Sequence, residues 1–204
     1  MTLADYSDDP QLSQGAYYTL ADLTGALKIN PEYAVALLDR AKLLKLLGRC
    51  TLAREDALTL EQLVSTGRMK SRSDAIYSLR HSVDECIQRM EFVDQMVAQN
   101  NYYQMKEGAE EAMRFATYSM KLIMVKARAH VELEETHDAL QATAQALKLE
   151  PASVPALSNM ASFQFAERRN VDYAEKLFKR ALQASPGDVA TLINYGSLLE
   201  EGRR

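Results

Sequence analysis

The sequence predicts an all-α chain of about ten helices in antiparallel pairs, stacked as an α-solenoid, with one extended helix joining two subdomains. Three observations carry this. Gly and Pro supply 13 of 204 residues, about half their usual ~12% share, so the elements are long and the joints short. Three segments end alike, ALKINP at Pro31, ALKLEP at Pro151 and ALQASP at Pro186, each with Ala-Leu ahead of a proline that cannot continue a helix. Pro151 and Pro186 are 35 residues apart, the period of a helix–turn–helix repeat, and a helix-forming run follows each proline.

The elements fall in order along this frame. Residues 1–15 are expected to be flexible, with Asp9 as an N-cap and Pro10 at a first helical position marking a short start. Residues 16–65 form an N-terminal subdomain: a helix closing at Pro31, then EYAVALLDRAKLLKLLG, then the helix after Gly48. Pro31 and Pro151 lie 120 residues apart, 18 more than three 34-residue periods. We assign the excess to Ser65–Ser82, inside a spacer and extended helix over 66–99. Gly67 breaks the preceding helix, Ser73-Asp74 can cap the next, and no Gly or Pro interrupts Asp74–Gln99. Residues 100–204 carry the C-terminal units and end after one helix of the last.

The small and bulky positions of these units resemble the tetratricopeptide repeat (TPR). That pattern places bulky residues at positions 4, 7, 11 and 24, small ones at 8, 20 and 27, and Pro at 32. The unit from Ala34 supplies Leu37, Ala41, Leu44, Ala53 and Ala57, departing at Arg40 and Leu60. The unit from Val154 supplies Leu157, Met160, Ala161, Ala174, Phe178, Ala181 and Pro186, with one extra residue in the Glu167–Asn170 turn. The unit ending at Pro151 has Ile123, Ala127, Ala139 and Ala146; a weaker one has Phe92, Met96, Tyr102, Ala109 and Ala112; the last has Leu192, Tyr195, Gly196 and Leu199. Small residues let helices approach closely while bulky ones fill the gaps, and no unit buries its apolar face alone. The string VDQMVAQNNYYQMKEGAEEAMRFA and the extended spacer resemble, more narrowly, the lumenal endoplasmic-reticulum co-chaperones known as a protein-kinase inhibitor, which join a TPR array to a J domain. No His-Pro-Asp J-domain motif, signal peptide or retention tail is present, so that resemblance implies a fragment in the endoplasmic-reticulum lumen; otherwise a cytoplasmic protein is expected.

The TPR resemblance implies a concave groove lined by the first helix of each unit. Its expected client-binding residues are Leu38, Lys42, Met90, Val97, Lys121, Met124, Arg128, Asn159, Phe165 and Asn194. TPR proteins that bind Hsp70 or Hsp90 tails use a two-carboxylate clamp. At those positions Met124, Arg128, Asn159, Ala190 and Asn194 give one match in five, so no clamp is expected.

Catalytic and metal chemistry find little support. His-Glu-x-x-His, Gly-x-Ser-x-Gly and glycine-rich phosphate loops are absent. His130 occupies a packing position and reads as an inter-helix histidine, so no metal and no cofactor are expected. The formal charge of −4 argues against nucleic acid, and the longest apolar runs, Ala34–Leu38 and Leu122–Val125, are far short of a membrane span. Cys50 and Cys86 are read as small buried apolar residues, a bridge between them being the alternative. The expected function is a non-catalytic TPR module, a co-chaperone segment binding unfolded or extended clients; the alternative is a scaffold subunit docking a specific folded partner in a stable assembly.

Overall fold

The computed structural model describes residues 11–69, 73–168 and 170–201; the expected Asp9 cap and Pro10 start lie outside them. Among these residues there are ten helices and no strand: α1 (Gln11–Ile29), α2 (Ala34–Leu46), α3 (Cys50–Ser65), α4 (Ser73–Ala98), α5 (Tyr102–Met113), α6 (Met120–Glu132), α7 (Thr136–Leu149), α8 (Val154–Arg168), α9 (Val171–Ala184) and α10 (Val189–Glu201). Consecutive helices pack from α1 through α5 and from α7 through α10, and α4, with 26 residues, is the longest. Contacts divide the chain into two compact units at Leu122 and Ile123.

The turns inside the helix pairs share one closure. The carbonyls of Leu44, Met96 and His130 accept from the N–H groups of Arg49, Asn101 and Glu135 at 2.8, 3.0 and 2.9 Å. The residue before each donor is left-handed: Gly48 at φ 75°, Asn100 at 50° and Glu134 at 59°. This is the Schellman arrangement, which satisfies carbonyls that the helix end leaves open. In the α8–α9 turn the equivalent bond runs from Asn170 N–H to Gln164 O at 3.1 Å, one residue longer, as the extra residue requires. Asn101 and Asn170 then cap α5 and α9, accepting from the N–H groups of Gln104 and Tyr173 at 3.3 and 3.2 Å. Gly48 is doubly constrained, because a Cβ there would also lie 2.7 Å from the Cβ of Ser119.

In the N-terminal unit, Leu37, Ala41 and Leu44 of α2 meet Ala53, Leu60 and Leu63 of α3 and Ile76, Leu79 and Val83 of α4. Arg40, where the repeat calls for a bulky apolar side chain, reaches Asp56 on α3 instead. Its Nε and Nη2 donate to the two carboxylate oxygens at 2.8 and 2.6 Å. Asp56 is buried, so this bidentate pair supplies the partner a buried charge needs. The hydrogen bond to Asp56 holds the Arg40 guanidinium above its ordinary pKa, against the opposing effect of burial.

The cysteine reading is corrected here, and two placements fall near the expected boundaries. Helix α1 begins at Gln11, inside the segment expected to be flexible. Helix α5 falls with the N-terminal unit because it packs on α4, where Gly108 admits the Phe92 ring at 3.0 Å from a would-be Cβ; the 100–204 boundary had placed it with the later repeats. Cys50 and Cys86 are joined in a disulfide, with Cα atoms 6.1 Å apart, and are not independent apolar residues. The pairing of α3 with α4 brings these two positions together across 36 residues of chain, a proximity that spacing alone does not reveal.

In the C-terminal unit, Leu157 and Ala161 of α8, Ala174, Leu177, Phe178 and Ala181 of α9 and Leu198 of α10 form one core. Ala161 is fully buried. Ala161→Leu is expected to overpack this contact and lower stability by about 1–3 kcal/mol in denaturant unfolding. Glu134 is exposed and left-handed, a conformation that costs a side-chain-bearing residue about 1–2 kcal/mol. Glu134→Gly is therefore expected to raise stability by about 0.5–1 kcal/mol in the same measurement.

Candidate functional site: a groove between α8 and α10

Helices α8 and α10 each follow a helix-ending proline, so equivalent repeat positions on the two face a common cleft. Ser162, Phe165 and Ala166 of α8 and Asn194, Ser197, Leu198 and Glu201 of α10 line it, with Phe178 of α9 at its base; its volume is about 360 Å³. Phe178 and Leu198 are each 1% exposed and make a fixed apolar floor. The Ser162 and Ser197 hydroxyls donate to the carbonyls of Ser158 and Ile193, one turn earlier, at 3.1 and 3.2 Å, which leaves their lone pairs as acceptors. The Asn194 amide donates to Ser158 Oγ at 3.4 Å. Among the lining residues one is a carboxylate and none is a cation.

The far wall is held by Tyr195. Its ring stacks on Phe178 with centroids 5.6 Å apart, and its hydroxyl donates to Glu175 Oε1 at 2.9 Å. Burial and the neighbouring Glu175 carboxylate raise the Tyr195 pKa, so the phenol stays neutral and remains a donor. Helix α10 is thereby fastened to α9 on one face while Asn194 and Ser197 face the cleft.

Of the residues expected to line a groove, the structure brings Phe165 and Asn194 together here. Asn159 is half-buried on α8 outside the lining. Met124 and Arg128 are one turn apart on α6, half-buried and exposed. In the N-terminal unit, Lys42, Met90 and Val97 are half-buried, and Lys121 pairs with Asp94 at 2.5 Å. Leu38 is 5% exposed and belongs to the core with Leu27 of α1, so it presents no surface to a ligand. Lys45 donates to Ser82 Oγ at 2.8 Å, and burial lowers its pKa. Phe178 was read only as a packing residue and Leu198 was not singled out; nothing in their spacing distinguishes a core side chain from one that also floors a cleft.

Two other constellations have simpler readings. A cavity of about 310 Å³ beside Arg40 and Asp56 carries Lys28 and Glu55 as well, charges of both signs whose buried members satisfy each other. His130, Glu135 and Asp138 place one ligand atom each within 4.8 Å. The His130 Nδ1 is hydrogen-bonded to Glu135 Oε2 at 2.5 Å, while its Nε2 is buried without a partner. A metal on Nδ1 would force the ring proton onto that Nε2, a buried donor with nothing to receive it. The hydrogen-bonded pair leaves only a bare acceptor there.

No family model matches the chain, and no curated protein matches it in sequence. Solved structures do. The TPR domain of P58(IPK) superposes with a TM-score of 0.74 at 15% identity over 94% of this chain. The chain spans about half, 53%, of that domain's length. The first TPR of Spaghetti (RPAP3), solved with the HSP90 peptide SRMEEVD, matches 59% of this chain and 95% of its own at TM-score 0.53 and 17% identity. The second TPR domain of human RPAP3, solved with the HSP70 peptide SGPTIEEVD, covers 57% of this chain and 97% of its own at 0.50 and 14%. At these identities the likeness is one of fold. The helices among the described residues and the likeness to solved TPR structures give this chain the fold of the tetratricopeptide-repeat solenoid.

Proposed function

We propose that the chain is a non-catalytic protein-binding module, a co-chaperone segment that holds unfolded or extended client polypeptides. One observation carries the reading: the α8–α10 groove joins a rigid apolar floor to a rim of hydroxyls, one amide and one carboxylate, with no cation among its lining residues. An extended peptide supplies complementary groups, apolar side chains for the floor and backbone N–H and C=O groups for the rim. Half-buried methionines at Met90 and Met124 add adaptable apolar contact, because the thioether fits varied shapes. The likeness to TPR domains solved with chaperone peptides agrees with a peptide ligand without identifying this one.

The buried Cys50–Cys86 disulfide supports an oxidising compartment such as the endoplasmic-reticulum lumen, since such bridges are uncommon in reducing cytosol. No helix among the described residues is long and apolar enough to cross a membrane.

Substoichiometric to equimolar chain is expected to suppress aggregation of two unrelated chemically denatured proteins, measured by light scattering. Phe165→Ala is expected to weaken that effect without lowering the melting temperature by more than a few degrees. Failure on both substrates, with one folded partner recovered in a fixed-stoichiometry complex, would instead mean a scaffold subunit.

Peptides ending Glu-Glu-Val-Asp are expected not to bind specifically at physiological salt. A clamp needs an amide and several cations converging on two carboxylates, whereas Met124 is uncharged, Ala190 is short and Asn194 carries no charge. Exposed Lys121 and Arg128 would add only ~0–1 kcal/mol each, screened by salt. Fluorescence anisotropy of a labelled pentapeptide checks this; a micromolar dissociation constant that weakens in Asn159→Ala would show that a clamp exists.

A further inference from the structure

The two compact units differ in one chemical respect: both cysteines lie in the N-terminal unit and none in the C-terminal one. Cys50 is the first residue of α3 and Cys86 lies midway along α4. By the repeat register Cys86 stands where the regular unit begins, so Ser73–Glu85 is an extension of α4 with no counterpart in the repeat. That extension delivers Ile76, Leu79 and Val83 to the core shared by α2 and α3. The bridge is placed where the extension meets the regular repeat. The neighbouring polar ties are Lys45 to Ser82 at 2.8 Å and Arg54 to Asp84 at 3.2 Å. Arg54 is half exposed, and ion pairs of that kind contribute little.

We infer that the Cys50–Cys86 bridge makes the N-terminal unit an oxidation-dependent fold, whereas the C-terminal unit is indifferent to redox state. The inference stands whether or not the α8–α10 groove holds clients. The bridge forms by thiol–disulfide exchange. One cysteine thiolate attacks a small-molecule disulfide such as glutathione disulfide, expelling one glutathione thiolate. The second cysteine thiolate then attacks the mixed disulfide and expels the other. Two electrons pass from the cysteine sulfurs to glutathione disulfide, giving two glutathione molecules and one protein disulfide.

Burial sets how the bond behaves afterwards. Cys50 is 3% and Cys86 0% exposed, so a reductant reaches the sulfurs only when α3 and α4 part. The bond is set as the unit folds and is then protected by the fold it stabilises. Closing a loop of 36 residues restricts the unfolded chain, and a bridge of that span adds stability that reduction removes. In a reducing compartment α4 would be held to α3 by packing and weak ion pairs alone. Lys42 and Lys45 on α2 would then lose their fixed relation to Met90 and Val97 on α4, while Ser162, Phe165 and Asn194 in the other unit would be unaffected.

The test uses the full chain in three forms: oxidised, refolded in dithiothreitol, and Cys50→Ser/Cys86→Ser refolded without reductant. Thiol titration of the oxidised form is expected to find no free thiol, and native-state dithiothreitol to reduce it slowly. Hydrogen exchange read by mass spectrometry is expected to be at least about tenfold faster through α3 and α4 in the other two forms, with α8–α10 unchanged. The transition of the N-terminal unit is expected to fall by about 10 °C. If the serine variant fails to fold, the dithiothreitol-refolded wild type gives the same comparison. Two free thiols in the chain as purified from an oxidising compartment would overturn the inference. So would equal α3–α4 exchange in oxidised and reduced forms, or loss of protection spread evenly over both units.

Discussion

Close approach of helices at alanine is the constraint on which the rest of this structure depends. Ala41, Ala53, Ala127, Ala139, Ala146, Ala161, Ala174 and Ala181 are all fully buried, and all occupy the small-residue positions of the repeat. A methyl side chain lets two helix backbones come near enough for the bulky residues on either side to interlock, the condition for native packing density. Once that distance is set, Leu157, Leu177 and Phe178 have only one space to fill. Larger residues at the same positions would wedge the pairs apart and open the groove geometry with them.

Groove and core are therefore one object. Phe178 is a core residue by burial and a floor residue by position; Tyr195 holds α10 in place through Phe178 and Glu175. The side chains that face outward, Ser162, Asn194 and Ser197, are short and spend little conformational entropy on being ordered. A rim without cations above a rigid apolar floor favours contacts that most extended polypeptides can make and gives little to a terminal carboxylate. That is the physical content of the client-holding proposal.

Much of this was legible in the residues because repeats write their geometry as spacing. The three prolines fixed the helix ends, the alanines fixed the register, and the extra residue before Asn170 appears as a hydrogen bond one residue longer than its counterparts. Phe165 and Asn194, assigned to a groove by register alone, line one cleft. What stayed hidden was long-range or doubly determined. The Cys50–Cys86 pairing depends on how α3 lies on α4, which a lengthened helix obscures. Arg40 looked like a departure until Asp56, sixteen residues on, came within 2.6 Å of it. Leu38 sits at a groove position by count, yet it is packed into the same core as α1.

Photocrosslinking tests the central claim most directly. A benzophenone amino acid placed at position 165 in the groove, and separately at the exposed α3 position of Gln62, would be irradiated with a denatured client. The account predicts client crosslinks from position 165 and background from position 62. Equal crosslinking from both positions, or crosslinks only to one folded partner, would contradict it.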